Sequence, residues 1–171
     1  HNSIVQKTSS SAERKYIYTM GKALFITGTG TDIGKTYVTG LIVKKLRDAG
    51  LRAGYYKAAL SGAETLADGT LLPGDALHVA RVAGLAVADT TVSYIYRDAV
   101  SPHLAAQIEN RPMDFDKVEQ DYRTAKERTE YLTVEGSGGI ICPLRWDNEE
   151  HVILDDLVLR LRLSALVVAD A

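Results

Sequence analysis

A chain of 171 residues and 18.6 kDa can bury a sizeable core, and one domain is the expectation at that length. Apolar residues make up 46% and charged residues 25%, an ordinary globular balance, and a formal net charge of −2 leaves no broad positive field for nucleic acid. The single cysteine, Cys142, excludes an internal disulfide and favours a reducing, cytoplasmic setting, and no uninterrupted apolar run approaches the roughly 20 residues that span a bilayer.

The chain opens on "HNSIVQKTSSSAERKYIYTM", polar and Ser-rich, without the apolar core of a secretory signal. Met20 reads as a native start, so residues 1–19 are expected to be a leader or a disordered extension and 20–171 a single α/β domain. Lys22 to Thr27 is a short apolar run without alternation, which predicts a strand covered on both faces. A glycine loop follows, and Gly34 to Asp48 has helical spacing in Val38, Leu41, Ile42 and Leu46, stopped by Gly50. "LRAGYYKAAL" is the next strand, so a strand-helix-strand unit closes near Lys57 with parallel strands and a right-handed crossover. "SGAETLADGTLLPG" reads as a loop, and Asp75 as the N-cap of the helix "ALHVARVAG".

"TTVSYIYRDA" predicts a strand, and "SPHLAAQIEN" a helix with Ser101 as N-cap and Pro102 at its first position. Met113 to Lys126 reads as a charged amphipathic helix, "YLTVEGSGG" as a strand running into a glycine turn, Ile153 to Leu163 as a helix and "ALVVAD" as a last strand. This alternation predicts a doubly wound, mainly parallel α/β sheet with helices on both faces, whose ligands gather outside the carboxyl ends of the strands.

The loop "GTGTDIGKT", Gly28 to Thr36, fits neither common glycine fingerprint. A dinucleotide loop needs glycine where Ile33 stands, and the usual phosphate loop needs it at Thr29. Lys35 and Thr36 decide between them. A glycine turn at a helix start offers N–H groups and a positive dipole end to an anion, and a Lys-Thr pair adds a cation for β/γ-phosphates and a hydroxyl for Mg²⁺. The loop is therefore read as a P-loop one residue longer than usual, with Lys35 expected to face solvent. Asp32 within the loop, Asp75 and Glu135 are the acids competing for the metal; Glu135, leaving a buried strand beside "GSGG", is the best placed of them. Lys57, on the same sheet edge as Lys35 and followed by "AALSG" with Ser61, reads either as a surface lysine or as an unshared second cation for a transferred phosphoryl group. His78, His103 and His151 do not pair with Cys142 at metal-ligand spacing, which argues against zinc.

Taken in order and at similar spacings, "TGTGTDIGKT", "GYYKAALSGAE", "PGDALHVARVAG", "SPHLAAQIENRP" and "VEGSGGIICPL" resemble the dethiobiotin synthetase family over about Lys22 to Ala171. The resemblance implies a P-loop NTPase-like fold and a homodimer that uses ATP, Mg²⁺ and CO₂ (or bicarbonate) to close the ureido ring of dethiobiotin on 7,8-diaminononanoate. It implies a carbamate, then a carbamic-phosphoric anhydride, then attack of the second amine with release of phosphate. Matching positions imply a phosphate cradle of Gly30, Thr31, Asp32, Ile33, Gly34, Lys35 and Thr36 with Glu135, and Thr36, Asp75 and Glu135 around Mg²⁺. Thr31, Lys35 and Lys57 are implied in catalysis, with Ser61, Lys57 and Asp32 toward the diamine. Two departures stand out. Ala58 replaces a usual proline, and the chain stops at "LVVADA", where the family continues with a glycine-rich loop and more sheet, so part of the family fold is expected to be missing. The rival class is a P-loop switch ATPase of the partitioning type; such proteins usually carry a lysine early in the loop, where this chain has Thr29, Gly30 and Thr31.

Overall fold

The computed structural model describes residues 21–169; the leader assigned to residues 1–19 lies outside them. β1 (Lys22–Gly28) runs into the phosphate loop and α1 (Lys35–Asp48) leaves it. β2 (Ala53–Leu60) has all eight residues buried, which is why its sequence shows no polar alternation. A small hairpin of β3 (Glu64–Thr65) and β4 (Leu71–Leu72) precedes α2 (Gly74–Ala83), a 3₁₀ turn at Val87–Asp89 and β5 (Thr90–Ile95). α3 (Pro102–Ile108) and α4 (Phe115–Glu127) follow, and then β6 (Tyr131–Glu135). The chain continues through a second hairpin, β7 (Pro143–Trp146) with β8 (His151–Ile153), into α5 (Leu154–Arg160) and β9 (Ser164–Val168).

α4 shows how local sequence sets an element. Phe115, Val118, Tyr122 and Ala125 recur at helical spacing and are buried, while the charged remainder faces outward. Asp114 caps it by accepting from the backbone N–H of Asp116 and Lys117. The neighbouring α3 starts with Ser101 at the N-cap and Pro102 inside, as its sequence predicts, although the serine hydroxyl makes no cap and lies 2.9 Å from His103 Nδ1.

The central sheet is parallel throughout, in the order β5-β2-β6-β1-β9. The mainly parallel, doubly wound expectation holds: β1 and β2 are parallel, and β6 pairs between them. That insertion sets Ile26, Glu135 and Lys57 side by side on three adjacent strands. One face packs Phe25, Tyr56, Leu132 and Val134 against Val118 and Tyr122 of α4 and Leu157 of α5. The other packs Ala53 and Tyr55 against Val43 of α1 and Val79 of α2. Sequence reading missed both hairpins: β3 and β4 have two residues each, too short for a period, and β7 is broken by a bulge between Pro143 and Arg145.

Candidate active site

β1 ends at Gly28, whose close contact with Ile33 and with the carbonyl of Val168 leaves no room for a Cβ. The Ile33 side chain thus lies against Gly28 at the end of β1. Asp32 takes a left-handed φ of 57° and Gly34, the N-cap of α1, a φ of 92°. These turns bring Lys35 round so that its Nζ donates to Gly30 O at 2.5 Å. Contrary to expectation, Lys35 is buried, at 7% exposure. Burial is the main influence pulling its pKa below the ordinary lysine value, with the Lys57 charge adding to it and Glu135, Asp32 and Asp75 opposing.

Lys57 and Glu135 are register partners on β2 and β6, both on the face covered by α1. Glu135 closes β6 as expected. Lys57 does not end its strand, since β2 continues through Ala58 to Leu60. Nor is it an unshared cation: its Nζ donates to Glu135 Oε1 at 2.9 Å and to Asp75 Oδ2 at 2.5 Å. Burial works to lower the Lys57 pKa, but the two carboxylates outweigh it and hold the ammonium above its ordinary value. The surface-lysine reading is thereby excluded, with Lys57 at 5% exposure.

Asp75 is not an N-cap. α2 starts a residue earlier, with Pro73 in the capping position, which frees the Asp75 carboxylate in the first turn to reach Lys57. Thr36 Oγ1 donates to Glu135 Oε1 at 2.7 Å, so a hydrogen bond ties a residue of the loop to one 99 positions later. Glu135 Oε2 accepts from Tyr55 at 3.2 Å. Tyr55 is wholly buried, and burial, then the Glu135 and Asp75 charges, keep its phenol protonated far above the usual range.

Around these groups lies a crevice of about 760 Å³. It brings together Thr31, Asp32, Gly34, Lys35, Thr36, Lys57, Ser61, Asp75 and Glu135, all singled out in the sequence. Gly30 contributes the carbonyl that holds Lys35. Sequence reading missed Ser137, Gly138 and Cys142 on one wall and Val100 to Pro102, before and at the start of α3, on another. The first two follow Glu135 in the glycine turn and were legible there; Cys142 and the start of α3 are brought in by tertiary packing alone. Burial pushes the Cys142 pKa above the ordinary thiol value despite the nearby Lys35 and Lys57 ammonium groups, which work to lower it.

Among the described residues no three His, Cys, Asp or Glu side chains form a metal cluster. The oxygen set here is smaller: one hydroxyl and two carboxylates, with Thr36 Oγ1 and Glu135 Oε1 2.7 Å apart. Adjacent ligands of octahedral Mg²⁺ stand about 3 Å apart, and such ions take one or two carboxylates with phosphate oxygens completing the shell. The donor chemistry fits Mg²⁺ held jointly with a nucleotide.

A family model described as an AAA domain matches residues 22–171. The chain is 51% identical over 153 residues to the ATP-dependent dethiobiotin synthetase BioD of Clostridium botulinum strain Loch Maree, covering 89% of this chain and 66% of the relative. It is 50% identical over 153 residues to the protein of the same description from Brachyspira hyodysenteriae, covering 89% and 67% respectively. The chain thus spans about two thirds of the length of these curated relatives.

Proposed function

The chain belongs to the family of ATP-dependent dethiobiotin synthetases, and from that premise we propose that it closes 7,8-diaminononanoate with CO₂ to dethiobiotin at the expense of ATP, in biotin synthesis. The observation that carries this reading is a pair of buried ammonium groups, Lys35 and Lys57, in one crevice with Thr36, Asp75 and Glu135. A loop that only bound nucleotide would need the first lysine and not the second.

In this reading one amine of the substrate adds to CO₂ and loses a proton, giving a carbamate. A carbamate oxygen attacks the γ-phosphorus of ATP, ADP leaves, and a carbamic-phosphoric anhydride forms. The second amine then attacks the carbonyl carbon, the bond to phosphate breaks, and the ring closes. Backbone N–H groups from Gly30 to Gly34 and the Lys35 ammonium cradle the phosphates. Lys57 stands between the carbamate and the γ-phosphate, two anions that repel each other, and stabilises the charge passing between them. Thr31 and Ser61 orient the carbamate and diamine by hydrogen bonds, and Asp32 on the same rim pairs with the diamine's second nitrogen. Thr36, Asp75 and Glu135 would hold Mg²⁺, which neutralises charge on the β- and γ-phosphates when bound. A cytoplasmic homodimer completes the proposal.

The test is to incubate the protein with MgATP, bicarbonate and the diamine and to look for the ureido product by mass spectrometry. Product is expected only when all three are present. ATP hydrolysis without product, and indifferent to the diamine, would favour a switch ATPase instead.

A further inference from the structure

The Glu135 carboxylate divides its two oxygens unequally. Oε1 accepts from both Thr36 and Lys57, while Oε2 is held by one partner, the Tyr55 hydroxyl. Tyr55 and Lys57 are two residues apart on β2 and lie on the same face, opposite Thr133 and Glu135 of β6. The phenol therefore leans along the strand by one side-chain repeat to reach the carboxylate that Lys57 faces directly. A glutamate's terminal torsion is broad and roughly two-fold, so an unanchored carboxylate would rotate and exchange its oxygens. Fixing Oε2 removes that freedom and aims Oε1 at the loop.

We propose that Tyr55 is a positioning residue of this site, holding Glu135 so that Oε1 is presented beside Thr36 to a divalent cation. The proposal rests on the reading of Thr36, Asp75 and Glu135 as the metal-side oxygens. Tyr55 is wholly buried and does not line the crevice, so it acts only through the carboxylate, as the outer partners of metal ligands do in other sites. Its neighbour Tyr56 is an internal control. Tyr56 lies on the opposite face and is equally buried, and its hydroxyl donates to Val118 O at 2.9 Å and lies 2.9 Å from Ser93 Oγ, with no path to Glu135.

The experiment titrates Mn²⁺, which takes the same hard oxygen ligands as Mg²⁺, into the full chain saturated with ADP, counting free Mn²⁺ by electron paramagnetic resonance. Tyr55→Phe is expected to weaken Mn²⁺ binding by about 10-fold or more, the scale of losing an outer-shell partner. Its affinity for ADP in EDTA should stay within a few fold of wild type, and Tyr56→Phe should leave Mn²⁺ affinity unchanged. If Glu135→Gln weakens Mn²⁺ binding and Tyr55→Phe does not, the role of Tyr55 is overturned while the site stands. If Glu135→Gln itself binds Mn²⁺ as wild type does, the metal reading falls and takes the proposal with it. Should Tyr55→Phe not fold, 4-aminophenylalanine at position 55 offers a weaker donor on the same ring. A smaller loss of Mn²⁺ affinity is then expected, and wild-type affinity would contradict the proposal.

Discussion

Two lysines of equal formal charge stand in opposite electrostatic settings. Lys35 is buried with a carbonyl for a partner and its pKa is lowered; Lys57 is buried between two carboxylates and its pKa is raised. The signs lead to opposite mutational outcomes at pH 7. A lysine whose folded pKa lies below its unfolded value costs stability while charged, so Lys35→Met is expected to melt no lower than wild type while losing nucleotide binding. A lysine whose folded pKa is raised contributes stability below its unfolded value near 10.4, lost only as pH climbs through the folded one. Lys57→Gln, which leaves Glu135 and Asp75 facing each other, should therefore cost about 3 kcal/mol in urea unfolding. Under conditions where that variant is folded, its ATP affinity should stay within a few fold while diamine-dependent phosphate release falls by about 10². Wild-type diamine stimulation in Lys57→Gln would reject the catalytic role. At this scale the sequence was informative about residue type and poor about environment. Gly-Lys-Thr marked the loop, yet neither the burial of Lys35 nor the double pairing of Lys57 leaves any trace in residues local to them. Tyr55 was within reach of sequence reasoning, since a period of two from Lys57 leads to it.

Among the elements, α1 depends on the turn that starts it. Gly34 sits at φ 92°, where an added Cβ meets no neighbouring atom, so any penalty for Gly34→Ala is one of backbone conformation alone. Such strain costs about 1 to 3 kcal/mol, and urea unfolding of Gly34→Ala should fall in that range. The β7–β8 hairpin depends on charge instead. Arg145 donates to Asp147, Glu149 and Glu150 from a side chain only 12% exposed, and Asp147 also accepts from the backbone N–H of Glu149 and Glu150. The Arg145 hydrogen bond, with the Glu150 and Glu149 N–H groups, holds the Asp147 pKa down to about 2. A carboxylate with a lowered folded pKa contributes stability above its unfolded value near 3.9, lost as pH falls toward the folded one. Asp147→Asn is accordingly expected to be less stable than wild type at pH 6, with the difference closing between about pH 4 and pH 2; a gap that persists at pH 2 would contradict this. The hairpin was invisible in the sequence because "RWDNEEHV" lacks a two-residue glycine turn and reads as a polar loop. The long strands and helices were legible, since burial on both faces and 3.6-residue periodicity both persist over enough residues to register.

On the scale of the whole molecule, sheet order does what no single motif does. Inserting β6 between β1 and β2 carries Glu135 to the gap between the phosphate loop and Lys57, and α2 leans Asp75 over the same point. Parallel strands and a strand-end site followed from the alternation of elements, whereas the order of those strands is a property of long-range pairing that no local pattern encodes. Among the described residues no helix is long and apolar enough to cross a membrane, in line with the absence of any such run in the sequence. Coupling of ATP cleavage to a second substrate in this crevice, as proposed, is read out by phosphate release at saturating MgATP and bicarbonate with and without 7,8-diaminononanoate. Release is expected to depend on the diamine and to match ring-closed product one for one. Phosphate release that proceeds equally well without the diamine would contradict it.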